Sequence, residues 1–305
     1  MKRFIILVAA SLFAATGFAQ PEARHHESVA LDRKTNVLAV FGGAEANGSN
    51  MSITNTTWIY DGAWKMIADA GITPRWGSGL SFHQRKLYAY GGLAWDSAKN
   101  EMLLNDLYIM ENNKWKYLTH GPQLEQPQLV SLRNMLWLVG RSTTNKQQVE
   151  VWRFDAVNRT FVQTDQVALN NDNGNFYACG DMFGNLIVVS SKDSGIVVNN
   201  LSDASKSFEV ALSKSISKYS ITYNEEEDAF FLFGGLDGDR AAVTDLWKIK
   251  AGMAEMLSFA SGPAARSSAH LVSPKGGILL YGGVHDGKMT NELWQYSGGE
   301  WKEKK

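Results

Sequence analysis

The sequence predicts an all-β fold of six similar units, on three observations. An apolar run closed by a doublet of small residues recurs along the chain, the copies are spaced by about fifty residues, and an aromatic segment follows most of them. The runs read VLAVFGG (37–43), KLYAYGG (86–92), MLWLVGR (135–141), NLIVVSS (185–191), AFFLFGG (229–235) and GILLYGG (277–283). Repetition at this period means a propeller or a solenoid, whose units stack to bury faces that none could bury alone.

Each unit has the same order. An entering segment, opening with Arg24, Arg75 or Arg266 in three copies, leads to the apolar run, the doublet, a polar loop and an aromatic strand. The aromatic strands are TTWIY around Trp58, DLYIM around Tyr108, VEVWRF around Trp152, DLWKI around Trp247 and ELWQY around Trp294. Trp64, Trp115, Phe161 and Trp301 follow in a last short strand, which makes four antiparallel strands per unit.

The apolar runs do not alternate with polar residues, so both of their faces are covered. Blades stacked around an axis do this, and the expected architecture is a six-bladed β-propeller. Its blades span about 24–70, 71–121, 122–168, 169–214, 215–261 and 262–305. Doublet glycines allow left-handed backbone where the strand turns away, and the tryptophans fill the wedges between blades. The strand near Arg24–Leu31 opens blade one and the segment from Glu300 completes blade six. Neither end has a strand to lend, so closure is expected without strand exchange, by side-chain packing between blades six and one.

Arginine, apolar strand with Gly-Gly, then Trp or Tyr followed by Trp or Phe resembles the kelch repeat, including the central propeller of galactose oxidase-like proteins. Blade one carries the likeness best, with ARHHESVALD, NVLAVFGG and NTTWIYDGAW in sequence. Blade four departs from it, with Ser190 and Ser191 for the glycines and no aromatic in GIVVNNL.

Residues 1–19 stand apart. Lys2 and Arg3 precede an apolar stretch from Phe4 to Ala15, and Gly17-Phe18-Ala19 offers small residues where a signal peptidase reads. Cleavage after Ala19 and export to the periplasm or medium are expected, with no transmembrane segment in the mature chain. The 30 basic and 31 acidic residues give a net charge of −1, which supplies no field for nucleic acid. A single cysteine, Cys179, excludes an internal disulfide.

Loops held on a rigid ring are the usual place for binding residues. The segments joining second to third strands, 44–54, 93–104, 141–148, 236–243 and 284–290, share one face. Trp95, Asp96, Arg141, Asp237, Arg240 and His285 are the candidate ligand contacts there. Arg24, Arg75 and Arg266 sit at equivalent places on that face. They form either a cationic ring for anions or, as repeat-wide residues, a scaffold element paired with a neighbouring blade's carbonyl or carboxylate.

His25, His26, Glu27, His270 and His285 suggest a metal across the closing seam. Adjacent strand residues point to opposite sides, however, so His25 and His26 are not expected to face one ion without a bulge. GLDGDR (235–240) and NNDNGN (170–175) lack the ligand spacing of a calcium loop and fit turn chemistry. No metal or cofactor is expected. Copper oxidases of the kelch class use a cysteine-linked tyrosine with two histidines; Cys179 and Tyr177 lack that histidine pair, and Cys179 reads as a small buried hydrophobe.

The resemblance implies an exported, monomeric binding module for a protein or glycan. Periplasmic six-bladed kelch proteins also include sialic acid mutarotases (N-acetylneuraminate epimerases). In that alternative Arg24, Arg75 and Arg266 would clamp an anion while His26 and Glu27 served as general acid and base.

Overall fold

The structure, a computed structural model, describes residues 20–47, 50–68, 70–169 and 175–304. The expected signal segment, and residues 170–174 of the NNDNGN stretch, lie outside the described residues. Among those described there is no α-helix, and the protein is all-β apart from a 3-10 turn at Ala204–Lys206.

Six four-stranded antiparallel sheets follow one another along the chain. Sheet one holds Ser28–Asp32, Val37–Phe41, Thr57–Tyr60 and Trp64–Ala68, and sheet two Gly79–His83, Lys86–Trp95, Glu101–Glu111 and Lys114–His120. Sheet three holds Leu124–Leu132, Met135–Ser142, Gln148–Asp155 and Thr160–Ala168, and sheet four Phe176–Gly180, Leu186–Lys192, Gly195–Asn200 and Phe208–Ala211. Sheet five holds Ser220–Asn224, Ala229–Phe233, Leu246–Lys250 and Met253–Leu257. Sheet six holds His270–Val272, Ile278–Tyr281, Leu293–Ser297 and Glu300–Lys304. The C-terminal strand pairs only within sheet six, and the strand of Val29 only within sheet one.

The second strands are apolar on both faces because each face belongs to a different core. Ala39 and Phe41 pack with Leu80, Ala89 and Trp115 of sheet two. Leu38 and Val40, one residue out of phase, pack with Leu279, Tyr281 and Leu293 of sheet six. Further cores join sheets two and three, three and four, four and five, and five and six. Trp115 and Trp301 are buried between sheets, as the wedge-filling expectation requires.

Two segments expected as loops are hairpins. Ala44–Asn47 pairs with Asn50–Ile53, and Arg24–His25 joins them as a third strand. Val284–His285 pairs with Lys288–Met289. In sheet two the long strands simply continue, so that Trp95 faces Glu101.

Candidate functional site

The first strands of all six sheets wall one cavity of about 1110 Å³. One end is bordered by His26, Trp76, Glu101, Glu125, Gln126 and Asn175, and the other by Arg33, Arg85, Arg133, Asn134 and Glu225. At the second end the Arg33 guanidinium donates to the Glu225 carboxylate and to the Tyr223 carbonyl at 2.9 Å. Those residues belong to sheet five, with sheet six between, so the Arg33 side chain braces that end.

Strand alternation puts half of each first strand into the cavity and half into a core. The lining therefore mixes Trp76, Phe82, Tyr177 and Tyr219 with Ser81, Gln128, Thr222 and His270. Several of the polar groups are already engaged between sheets. Ser28 Oγ donates to the Ser78 carbonyl at 2.7 Å, and His83 Nδ1 lies 2.9 Å from Ser131 Oγ.

The three repeat arginines are buried, and their forks are taken up inside their own sheets. Arg75 donates from Nη1 to the Gly91 carbonyl at 3.1 Å and to Asp106 at 2.5 Å, from Nη2 to Asp106 at 3.0 Å, and from Nε to the Thr73 carbonyl. Arg266 repeats this with Gly282, Glu292 and Ala264, and Arg24 with Gly42, Glu45 and Glu22. The expected pairing with a neighbouring blade is not what these side chains make, since each binds within its own sheet; in Arg75 and Arg266 it is the backbone carbonyl that binds the neighbour. Gly43 N–H donates to the Arg75 carbonyl and Gly235 N–H to that of Arg266, each at 2.9 Å.

Of the six loop candidates, none lines the cavity. Trp95 comes nearest, packed edge-on against Trp76 at 5.6 Å with Lys99 over its ring. Asp96 caps its own hairpin, accepting from the Asn100 side chain and from the backbone amides of Asn100 and Ala98, and these bonds, the Asn100 side chain's first, hold its carboxyl below the usual range. Asp237 accepts in its turn from the amides of Asp239 and Ala241, which is the turn chemistry expected of GLDGDR. Arg141 is buried and donates to the Lys146 carbonyl at 2.7 Å. His285 Nδ1 lies 2.9 Å from the Ala265 carbonyl, and Arg240 is an exposed, left-handed turn residue.

At the histidines the strand carries the bulge that regular alternation leaves out. His26 has φ +54°, so strand alternation breaks there, and the rings of His25 and His26 meet edge to face at 4.7 Å. The bend is a repeat feature, since Gly77, Gln126, Lys218 and Ser268 take positive φ at the equivalent place. Burial lowers the pKa of His25, and burial followed by His25 and Lys218 lowers that of His26. Among the described residues no cluster of three or more His, Cys, Asp or Glu is arranged to hold a metal ion. Cys179 is buried, and burial pushes its thiol up to about 12.

His26 and Glu27 line the cavity, and His270, 243 positions later in the sequence, joins them across the junction of sheets six and one. Burial pushes the Glu27 carboxyl up to about 8, against smaller lowering effects of its own nearby backbone N–H and of Arg24. Neither Glu27 carboxylate oxygen has a hydrogen-bond partner among the described residues. Sequence reasoning placed these residues near one another but missed Trp76, Tyr177, Tyr219 and the Arg33 brace, whose proximity comes only from the arrangement of sheets. No protein-family model matches the chain, and no curated protein matches it significantly.

Proposed function

We propose that the six sheets close as a six-bladed propeller of the kelch type, exported by way of residues 1–19, whose axial cavity binds carbohydrate. Closure without strand exchange is supported by the sequence of cores, each joining consecutive sheets, with the core of Leu38, Val40, Tyr281 and Leu293 joining six to one. The observation that carries the functional reading is the cavity walled by the first strands of all six sheets.

Its lining combines flat aromatic faces with hydroxyl, amide and imidazole groups, the chemistry that covers a sugar's apolar face and orients its hydroxyls. At about 1110 Å³ it exceeds the roughly 300–1,000 Å³ of ordinary small-ligand pockets, which suits an oligosaccharide. Trp76, backed by Trp95, is the aromatic platform at one end.

The test is titration of the purified protein with maltotriose, triacetylchitotriose and lactose. Binding of one of them, weakened about tenfold or more by Trp76→Ala, is the expected result. Binding to none would discard the carbohydrate reading. Export is tested separately: the N-terminal residue of exported protein should be Gln20.

A second reading, a sugar-active enzyme of the sialic acid mutarotase type, draws on the meeting of His26, Glu27 and His270 at the cavity. Its anion clamp would need Arg24, Arg75 and Arg266, whose guanidinium groups already bond within their sheets. As a binding module the protein leaves free sugars unchanged, so proton NMR of freshly dissolved sialic acid should show no faster anomer exchange with it. Acceleration abolished by His26→Ala would replace the binding reading with the enzymatic one.

A further inference from the structure

The six first strands share one register. Opposite the residue that precedes each doublet stand Ser28, Gly79, Gln128, Tyr177, Ser220 and His270. Four of them stitch their sheet to the next. Ser28 Oγ donates to the Ser78 carbonyl at 2.7 Å, and Gln128 spans the Phe176 carbonyl and the Ala178 amide at 2.9 and 2.8 Å. The Tyr177 phenol bonds Thr222, and Ser220 Oγ accepts from the Leu271 amide at 2.5 Å. Gly79 has no side chain to offer. The His270 ring shows no hydrogen bond among the described residues; its Nε2 stands 3.7 Å from Glu27 Oε1.

Glu27 breaks the pattern too. Its equivalents are Ser78, Pro127, Phe176, Tyr219 and Ala269, none of them a carboxylic acid. Its side chain is 1% exposed, and both oxygens lack a partner, as does the hydroxyl of Tyr281, which lies close enough to feel the Glu27 charge. Gly282 leaves the room: a Cβ there would stand 2.7 Å from Glu27 Oε1. A scaffold that manages with Ser, Pro, Phe, Tyr and Ala at this position does not need a buried, unpaired acid, and such a group is costly to keep. Local departures of this kind mark functional positions.

We propose that Glu27 and His270 form a proton-sharing pair that anchors a hydroxyl of a carbohydrate in the cavity, His270 touching the ligand and Glu27 positioning the ring. This rests on the carbohydrate reading above. His270 lines the cavity with about a third of its side chain exposed to it (31%), while Glu27 lies behind. Burial raises the Glu27 carboxyl to about 8, and burial followed by the neighbouring His26 lowers His270 to about 4, so both are uncharged at neutral pH. A closing shift of less than about 1 Å, as a ligand hydroxyl settles, would bring the protonated carboxyl from 3.7 Å into donating distance of Nε2, with the imidazole proton on Nδ1. An uncharged pair can anchor a hydroxyl without burying an ion. The other charged or titratable groups facing the pair include Tyr281, whose hydroxyl feels the Glu27 charge, Arg24, which is bonded to Glu45, and His26, which itself faces His25 and Lys218.

The repeat itself supplies substitutions compatible with the fold: His270→Gln follows Gln128, and Glu27→Ala follows Ala269. The experiment combines titration of the purified protein with maltotriose, triacetylchitotriose and lactose, 15N NMR of the histidine rings, and thermal melting. The wild type should show a neutral His270 with its proton on Nδ1, and the sugar that binds should shift those ring signals. Both variants should fold, Glu27→Ala should melt at or above the wild type, and both should bind that sugar about tenfold or more weakly. Wild-type binding that neither variant weakens overturns the pair and leaves the carbohydrate reading standing. Binding of no sugar by the wild type overturns both. A lower melting temperature for Glu27→Ala would make the carboxyl structural and likewise overturns the pair.

Discussion

Sheet five meets sheet six through a backbone joint, whereas sheet four meets sheet five through side chains. In the first joint Gly234 and Gly235 both take positive φ, the Gly235 amide donates to the Arg266 carbonyl at 2.9 Å, and the Arg266 side chain turns back to Gly282 and Glu292. In the second, Ser190 and Ser191 stay inside the strand Leu186–Lys192, and Ser191 Oγ meets the Tyr219 hydroxyl at 2.9 Å. The difference teaches that the joint at the doublet needs a polar link and a filled wedge, not a particular motif. Where the doublet keeps a Cβ, a longer side chain supplies the link.

The largest expected effect comes from breaking the backbone joint at its arginine. Arg266→Ala removes a buried guanidinium, takes its donor from the Gly282 carbonyl and leaves the Glu292 carboxylate, among the described residues, with only the Trp294 indole N–H. A loss of about 3 kcal/mol is expected, at the low end for a broken buried pair because Glu292 is partly exposed. Chemical denaturation measures it. Stability unchanged within error would show that Arg266 is not what holds this joint.

Gly234→Ala attacks the same joint from the other side. The added Cβ would stand 2.5 Å from the Arg266 carbonyl oxygen, at a φ of +65°. Left-handed strain and overpacking together predict a loss of about 2 to 3 kcal/mol. Sheet four, with no such constraint on its doublet, should tolerate alanine far better at Ser190, the equivalent of Gly234.

Much of this was legible in the sequence, because doublets, arginines and aromatic strands are local and repeat. The glycine positions followed from the need for a turning strand, and Gly42, Gly91, Gly234 and Gly282 do take positive φ. What the arginine side chains bind was not legible, since Asp106 lies 31 positions from Arg75 in a strand whose register is set only on folding. The meeting of His270 with Glu27 followed from the repeat, but the break in alternation at His26 depends on a bend that a histidine does not announce.

The junction of sheets six and one sharpens the comparison because it carries a charge-sensitive link. Glu27 holds its proton up to about pH 8 in the folded chain against an ordinary 4.5, so stability falls as pH rises through that window. His270, lowered from 6.5 to about 4, acts oppositely between those values. Above pH 6.5 only the Glu27 effect remains, and between there and pH 8 the wild type should lose about 2 kcal/mol. In Glu27→Gln that slope should vanish. A slope retained in the variant would assign it to another group.

The smallest effect tests whether sheet four is a damaged glycine joint or a different solution. Ser190 is buried, and its hydroxyl has no partner among the described residues. Ser190→Ala removes that unpaired hydroxyl without loosening the chain, and should stabilise by about 1 kcal/mol. Ser190→Gly removes the same hydroxyl but adds unfolded-state entropy of about 0.5 to 1 kcal/mol, so it should come out near zero. That order follows only if the strand runs straight through the doublet. Were Ser190→Gly the more stabilising of the two, the backbone at Ser190 would be strained toward the left-handed turn of the other sheets. The side-chain link from Ser191 to Tyr219 would then be a repair of a lost glycine joint, not a second way of building one.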